Sequence, residues 1–339
     1  MGRRFLYLPG GGIIFALLLL AAVEAWLHTD AFLYRYRSVF AVGRAMDKLR
    51  YVEMHPIRVL LVGNSRIDNA FDPITLQVDL PGVRPGQVFN LGMPGADAKA
   101  VYGVFERLAA RHLLGPNRID RVVIGLDESL LQAGDLLGYG PFFADRRGLW
   151  EEGEYLQLLR SGVRLWGFAD NLKELREPAK LDQFVKATWR DVDPIGGPPS
   201  AHLGYRAGFG GLQDAAQASR QEAGSKKPPD PKLVGYFFRS LDLLVQHDVE
   251  AAVVFPPLLN REVLYLVPSD PEAPPYLEVA AQLVARGIPM IALDPGGRRS
   301  TEEFVNPGHL NNRGAQRFTR LLGERLRLTW SRTLVGVSR

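Results

Sequence analysis

Five short, nearly uninterrupted apolar runs recur along the chain, and longer stretches with helical spacing lie between them. Residues 57–62 (Ile-Arg-Val-Leu-Leu-Val), 88–91 (Val-Phe-Asn-Leu), 121–126 (Arg-Val-Val-Ile-Gly-Leu), 251–255 (Ala-Ala-Val-Val-Phe) and 289–293 (Pro-Met-Ile-Ala-Leu) read as buried strands. Residues 96–113 carry apolar side chains at Val101, Val104, Phe105, Leu108 and Ala109, the spacing of one helix face. Residues 68–80, 233–246, 276–286 and 310–328 read as further helices. Strands alternating with helices predict an α/β protein: three layers, α/β/α, around a mostly parallel, roughly five-stranded sheet.

Two regions depart from the alternation. Between about residues 131 and 231 it disappears, leaving helix-like pieces near 151–164 and 171–185, three tryptophans (Trp150, Trp166, Trp189) and a Gly/Pro/Ala-rich tract. This reads as an insertion into the α/β domain, and a segment this long at a sheet edge is more often functional than ornamental. Its tryptophans suit stacking on sugar rings, although core packing is the commoner use. At the N-terminus, residues 10–27 carry one charge, Glu24, in a run of about 18 residues, near the lower limit for spanning a bilayer. Arg3 and Arg4 precede it, which favours a cytoplasmic N-terminus and an exported remainder. A signal peptide cleaved near Val23-Glu24-Ala25 is the rival reading. The expected organisation is a single-pass anchor over 1–28 and a juxtamembrane stalk over 29–55 with Phe32, Tyr36, Phe40, Ala41 and Met46 as its stripe. An α/β domain then covers 56–330 with the insertion at about 131–231. Trp26, Tyr34 and Tyr36 would mark the outer interface. Either N-terminal reading puts the domain outside the cytoplasmic membrane.

Composition narrows the chemistry. The 339 residues are 46% hydrophobic and 23% charged, a globular content. A net charge of +4 without a basic, aromatic-interleaved patch argues against nucleic acid as a partner. The absence of cysteine excludes disulfides, thiolate-bound zinc and a thiol nucleophile. His28, His55, His112, His202 and His247 lack metal-ligand spacing, so neither a metal nor another cofactor is expected.

Candidate chemistry centres on Gly63-Asn64-Ser65-Arg66, which follows the first strand. Ligands of open α/β sheets bind at the carboxyl ends of the strands, so Ser65 is presented to substrate. Late in the chain stands Asn306-Pro307-Gly308-His309-Leu310-Asn311. A serine early and a histidine late suggest a nucleophile and its general base. Each has a plainer reading: Ser65 as a helix cap, Gly92 and Gly95 as turn glycines after a strand, Arg66 as a solvated surface arginine. Asp127 and Asp294, each just past a strand, read as helix caps or as a carboxylate for the histidine.

From about residue 57 to 328 the chain resembles the SGNH hydrolase superfamily. Within it, the chain is similar to membrane-anchored members that work beside membrane-bound O-acyltransferases, as in alginate and cellulose acetylation and lipoteichoic acid D-alanylation. Gly63-Asn64-Ser65-Arg66 stands in the place of the first block. Asn90-Leu91-Gly92-Met93-Pro94-Gly95 stands in the second, which supplies an oxyanion glycine. Asn306-Pro307-Gly308-His309-Leu310-Asn311-Asn312-Arg313-Gly314-Ala315 stands in the last, usually Asp-x-x-His. The resemblance implies acyl transfer with Ser65 as nucleophile and His309 as base. The Ser65 and Gly92 N–H groups, with the Asn64 side chain, would form the oxyanion site. Two positions depart from the pattern: Asn306 replaces the aspartate, and Gly125-Leu126-Asp127-Glu128 lacks the third block's asparagine. The expected activity is O-acylation of a cell-surface or secreted polysaccharide, with a membrane-bound O-acyltransferase as partner. A carbohydrate esterase with the same site, and an inactive scaffold that binds polymer or a membrane acyltransferase, are the alternatives.

Overall fold

The computed structural model describes residues 10–132, 134, 137–208, 227–259, 263–293 and 301–336. Five parallel strands form the central sheet: β1 (Val59–Gly63), β2 (Val88–Gly92), β3 (Arg121–Gly125), β4 (Glu250–Phe255) and β5 (Met290–Ala292), in the order β2-β1-β3-β4-β5. Both faces are buried, which explains why the strands read as continuous apolar runs. Alternate residues serve opposite sides: Leu60, Val62, Val122 and Ile124 point into one core, Val59, Leu61 and Val123 into the other.

Helices cover the two faces. On the first lie α3 (Ala41–Met54), α6 (Ala98–Ala110), α12 (Pro231–Gln246) and α13 (Pro274–Ala285); on the second lie α4 (Ser65–Ala70), α5 (Pro73–Asp79) and α14 (Asn312–Gly336). Aspartates start several of them: Asp97 accepts from Ala100 N–H, Asp72 from Ile74 N–H and Asp230 from Lys232 N–H. The single helix expected over 68–80 is two, because Pro73 holds Asp72 extended and begins a new helix.

Residues 29–55 are not a free stalk. α2 (Asp30–Arg35) and α3 bury Phe32, Phe40, Val42, Leu49 and Val52 in the main core, since their apolar stripe has a sheet face to cover. Ahead of them α1 (Gly11–Leu27) runs for 17 residues. Among the described residues no helix is long and apolar enough to cross a membrane.

The insertion folds as short helices: α7 (Arg146–Glu151), α8 (Tyr155–Gly162), α9 (Arg164–Gly167), α10 (Ala169–Leu172) and α11 (Pro178–Trp189). Ahead of α14 an unexpected hairpin pairs β6 (Phe304–Asn306) with β7 (His309–Leu310).

Candidate active site

Strand order 2-1-3-4-5 reverses direction between β1 and β3, and the crevice of such a sheet opens there, at the carboxyl ends. β1 delivers Ser65 to that point and β3 delivers Asp127. Gly63 and Gly125 end the two strands beneath Ile67. A Cβ on either would come within 2.5 Å or 2.0 Å of the Ile67 side chain, so both must be small for α4 to fold over the strand ends.

The hairpin supplies the histidine. Its two-residue turn, Pro307-Gly308, sets Asn306 directly across from His309. His309 Nε2 stands 2.8 Å from Ser65 Oγ, and His309 Nδ1 stands 2.9 Å from Asn306 Oδ1. The same Asn306 oxygen accepts the Gly308 N–H at 3.0 Å. A backbone N–H only donates, so this atom is the amide oxygen and its histidine neighbour must also donate. The proton of the neutral imidazole therefore sits on Nδ1, and Nε2 presents a lone pair to the serine hydroxyl. Burial, and next the positive charge of Arg66, pull the imidazole down to about 4, so His309 is a neutral base at neutral pH.

Ser65 itself rests on a buried ionic network. Asn64 Oδ1 accepts the Arg66 N–H at 2.9 Å, while Asn64 Nδ2 lies 2.9 Å from both Asp127 oxygens and from Ser129 Oγ. Asp127 also accepts from Ser129 Oγ at 2.6 Å and from Leu130 N–H at 2.9 Å. Burial opposes its ionisation, but Arg66 and the bonds from Ser129, Asn64 and Leu130 hold its carboxyl below the usual range. Arg66 is buried, with Nη1 at 3.4 Å from both Asp127 and Glu128. It is no surface arginine: burial works against its charge, and the two acids outweigh that. Its Nε would lie 3.6 Å from a Cβ at Gly308, which explains its effect on His309.

Several expected roles find other uses. Both Asn64 amide hydrogens point to acceptors of the network, so they do not face a substrate oxygen. Gly92 N–H donates to Asn90 Oδ1 at 2.8 Å, so this donor too is engaged. The glycine is needed for a different reason: a Cβ there would lie 2.3 Å from Asp68 N, a backbone atom that cannot step aside. Ser65 N–H, the first of α4, has no intrahelical acceptor. Asp127 serves Asn64 and Arg66, while the histidine's Nδ1 is taken by Asn306. Asp294 lies outside the described residues.

Lys48, on the supposed stalk, donates to Asp68 at 2.5 Å and to Gly92 O at 2.7 Å, and Arg44 reaches Asp68 at 3.2 Å. Burial pulls Lys48 down to about 7 against the pull of Asp68. These residues tie α3 to the ends of β2 and α4. A signal existed: Lys48 falls three residues after Ala45 and four before Val52, both buried, on the apolar face of α3. Compared with protein-family models and with curated proteins, the chain matches none.

Proposed function

We propose that this protein is a serine-dependent acyl-transfer enzyme of the SGNH type, anchored by its N-terminal segment and acting outside the cytoplasmic membrane on a polysaccharide. The observation that carries the reading is the relay Ser65 Oγ, His309 Nε2, His309 Nδ1, Asn306 Oδ1, which fixes the tautomer a general base needs. Ser65 Oγ attacks the ester carbonyl carbon while its proton passes to His309 Nε2. The negative oxygen of the tetrahedral intermediate is met by Ser65 N–H, with the Arg66 charge behind it. Collapse breaks the bond to the alcohol oxygen, which leaves with the proton from His309. A sugar hydroxyl then gives its proton to His309 and attacks the acyl carbon; the bond to Ser65 Oγ breaks, and His309 returns the proton to the serine. A membrane-bound O-acyltransferase is the proposed supplier of acyl groups.

The test is purified protein with an activated acetyl ester, with and without an oligosaccharide acceptor. Mass spectrometry should find acetyl on Ser65, and acceptor should speed its loss. Release of acetate at one rate regardless of acceptor would make the protein an esterase. The neutral amide of Asn306, which cannot stabilise imidazolium by charge, favours one other reading: a scaffold that binds polymer without turning it over. No acetyl-serine, no acetate and retained polymer binding would establish that reading instead.

A further inference from the structure

The insertion helices pack Leu149, Phe184 and Ala187 against the domain but leave other apolar side chains on the outside. On α8, Tyr155 and Leu159 stand one turn apart with Leu159 58% exposed, and the extended Val163 and then Trp166 of α9 are exposed after them. On α11, Leu181, Val185 and Trp189 form a second stripe at intervals of four, with Trp189 83% exposed. Helices of a water-surrounded domain point such residues inward. An exposed apolar stripe with tryptophan and tyrosine is the composition of a helix lying in a lipid interface.

Contacts with the N-terminal helices place both stripes at one level. The Glu24 carboxylate, near the end of α1, accepts the Arg164 and Leu165 N–H groups at 2.5 and 2.8 Å, so it caps α9. On α2 and just after it, Arg35 donates to Thr188 O at 2.9 Å, and Tyr36 stacks on Phe184 at 4.5 Å between ring centres. Both elements thus meet the chain where α1 ends. α1 exposes Ile13, Phe15, Leu18 and Leu20, and its 17 residues reach about 26 Å, which enters the roughly 30 Å hydrocarbon core of a bilayer without crossing it. Trp26, at that end, is 46% exposed.

The catalytic edge lies on the same side. α3 begins near the carboxyl ends of the strands, where Arg44 and Lys48 reach Asp68 and Gly92, and it runs toward their amino ends, where Tyr51 stacks on Phe89. The turn from α2 into α3 therefore lies at the edge that carries Ser65, and α1 packs on α2. The insertion also leaves from the carboxyl end of β3.

We infer that α8, α9 and α11 lie on the lipid surface into which α1 runs, so that the Ser65 edge of the sheet faces the membrane. The inference rests on the membrane placement of α1 proposed above and not on the chemistry of Ser65. Attraction to the bilayer is apolar. Three of the exposed cations, Arg147, Lys173 and Lys186, are each paired with an acid three or four residues away, and the test uses a neutral lipid surface.

The chain has no cysteine, so single nitroxide labels can be placed on the full protein in phosphatidylcholine vesicles. Leu159→Cys and Val185→Cys test the insertion, Leu20→Cys on α1 is the reference, and Val78→Cys on α5, 81% exposed, is the control on the far core. All four sites are exposed, so the fold tolerates them. The expected result is that labels at 159 and 185 collide several-fold more with lipid-soluble oxygen, relative to an aqueous nickel chelate, than the label at 78. Ratios at 159 and 185 equal to that at 78, with 20 in lipid, overturn the inference and leave the anchor standing. A ratio at 20 equal to that at 78 overturns both. Protection of 159 and 185 from both relaxants means a second copy covers the face, which also overturns it.

Discussion

The turn after β1 and the turn between β6 and β7 each contribute one partner to the Ser65–His309 pair, and they are held in opposite ways. The first is buried between strands and fastened by charge: Asn64 and Arg66 are locked to Asp127 and Glu128, and Lys48 and Arg44 to Asp68. The second is a two-residue hairpin at the rim, where one neutral amide orders both the Gly308 N–H and the imidazole. Buried charges are costly to leave alone, so the serine's side ties geometry to fold stability. The rim hairpin can be altered without exposing a charge, so its changes should register in rate and pH response.

The largest expected effect is that of Ser65→Ala, which should lower turnover of an activated acetyl ester to about a thousandth or less. Its melting temperature should stay close to wild type, because the lost hydroxyl strands no charge and unpairs only the neutral His309 Nε2 at the rim.

The contrast itself is broken or upheld by a pair of variants. Asp127→Ala strands Arg66 and Asn64 and should cost about 3–5 kcal/mol in urea unfolding. Asn306→Ala should cost less than about 1.5 kcal/mol, the scale of ordinary neutral hydrogen bonds, yet slow ester turnover about 100-fold through the lost orientation of the base. Equal stability losses for the two would end the distinction.

Gly125→Ala should displace α4 through Ile67 and reduce rate by about 100-fold, the scale of a misplacement near 1 Å. Because the obstructing atoms belong to the Ile67 side chain, Gly125→Ala with Ile67→Ala should recover much of that loss. A double variant as slow as the single one would show that the glycine matters for its backbone instead.

A smaller gain is expected from Asn306→Asp. A carboxylate beside Nδ1 stabilises imidazolium, raises the histidine above about 4 and should speed ester turnover several-fold. The acid limb of kcat/KM, near pH 4 in wild type, should move upward with it. A limb that stays near 4 would detach His309 from the rate.

The smallest effect is in stability against pH. His309 protonates near 6.5 in the unfolded chain and near 4 in the folded one, so between these values the unfolded chain binds more protons. Its contribution is fully present above pH 6.5 and is lost as pH falls toward 4. Thermal melts of wild type should therefore drop more steeply over that window than those of His309→Gln.

Much of this molecule can be read along the chain because the information is local. A strand buried on both faces is a short apolar run, and a helix on a sheet has its stripe, so the five strands and the helices between them were visible with edges displaced by a few residues. The serine turn was visible for the same reason, since it sits where an apolar run stops and small polar residues begin. The late histidine stood out through the resemblance of its motif, Asn306-Pro307-Gly308-His309. The hairpin carrying His309 was not visible, because a strand of two or three residues has no periodicity to detect.

What the chain order alone determined is therefore the layered α/β scaffold and the two places where chemistry is presented. Tertiary structure alone decided the partners: Asn306 rather than Asp127 on the imidazole, Asp127 and Glu128 on a buried Arg66, Lys48 of the supposed stalk on Gly92. It also decided that the donors of Asn64 and Gly92 turn inward. The physical reason is that a hydrogen bond or ion pair depends on the distance between two atoms in space. Arg66 and Glu128 stand 62 positions apart, and Ser65 and His309 stand 244 apart. No pattern of residue types encodes a separation that only the folded sheet brings to zero.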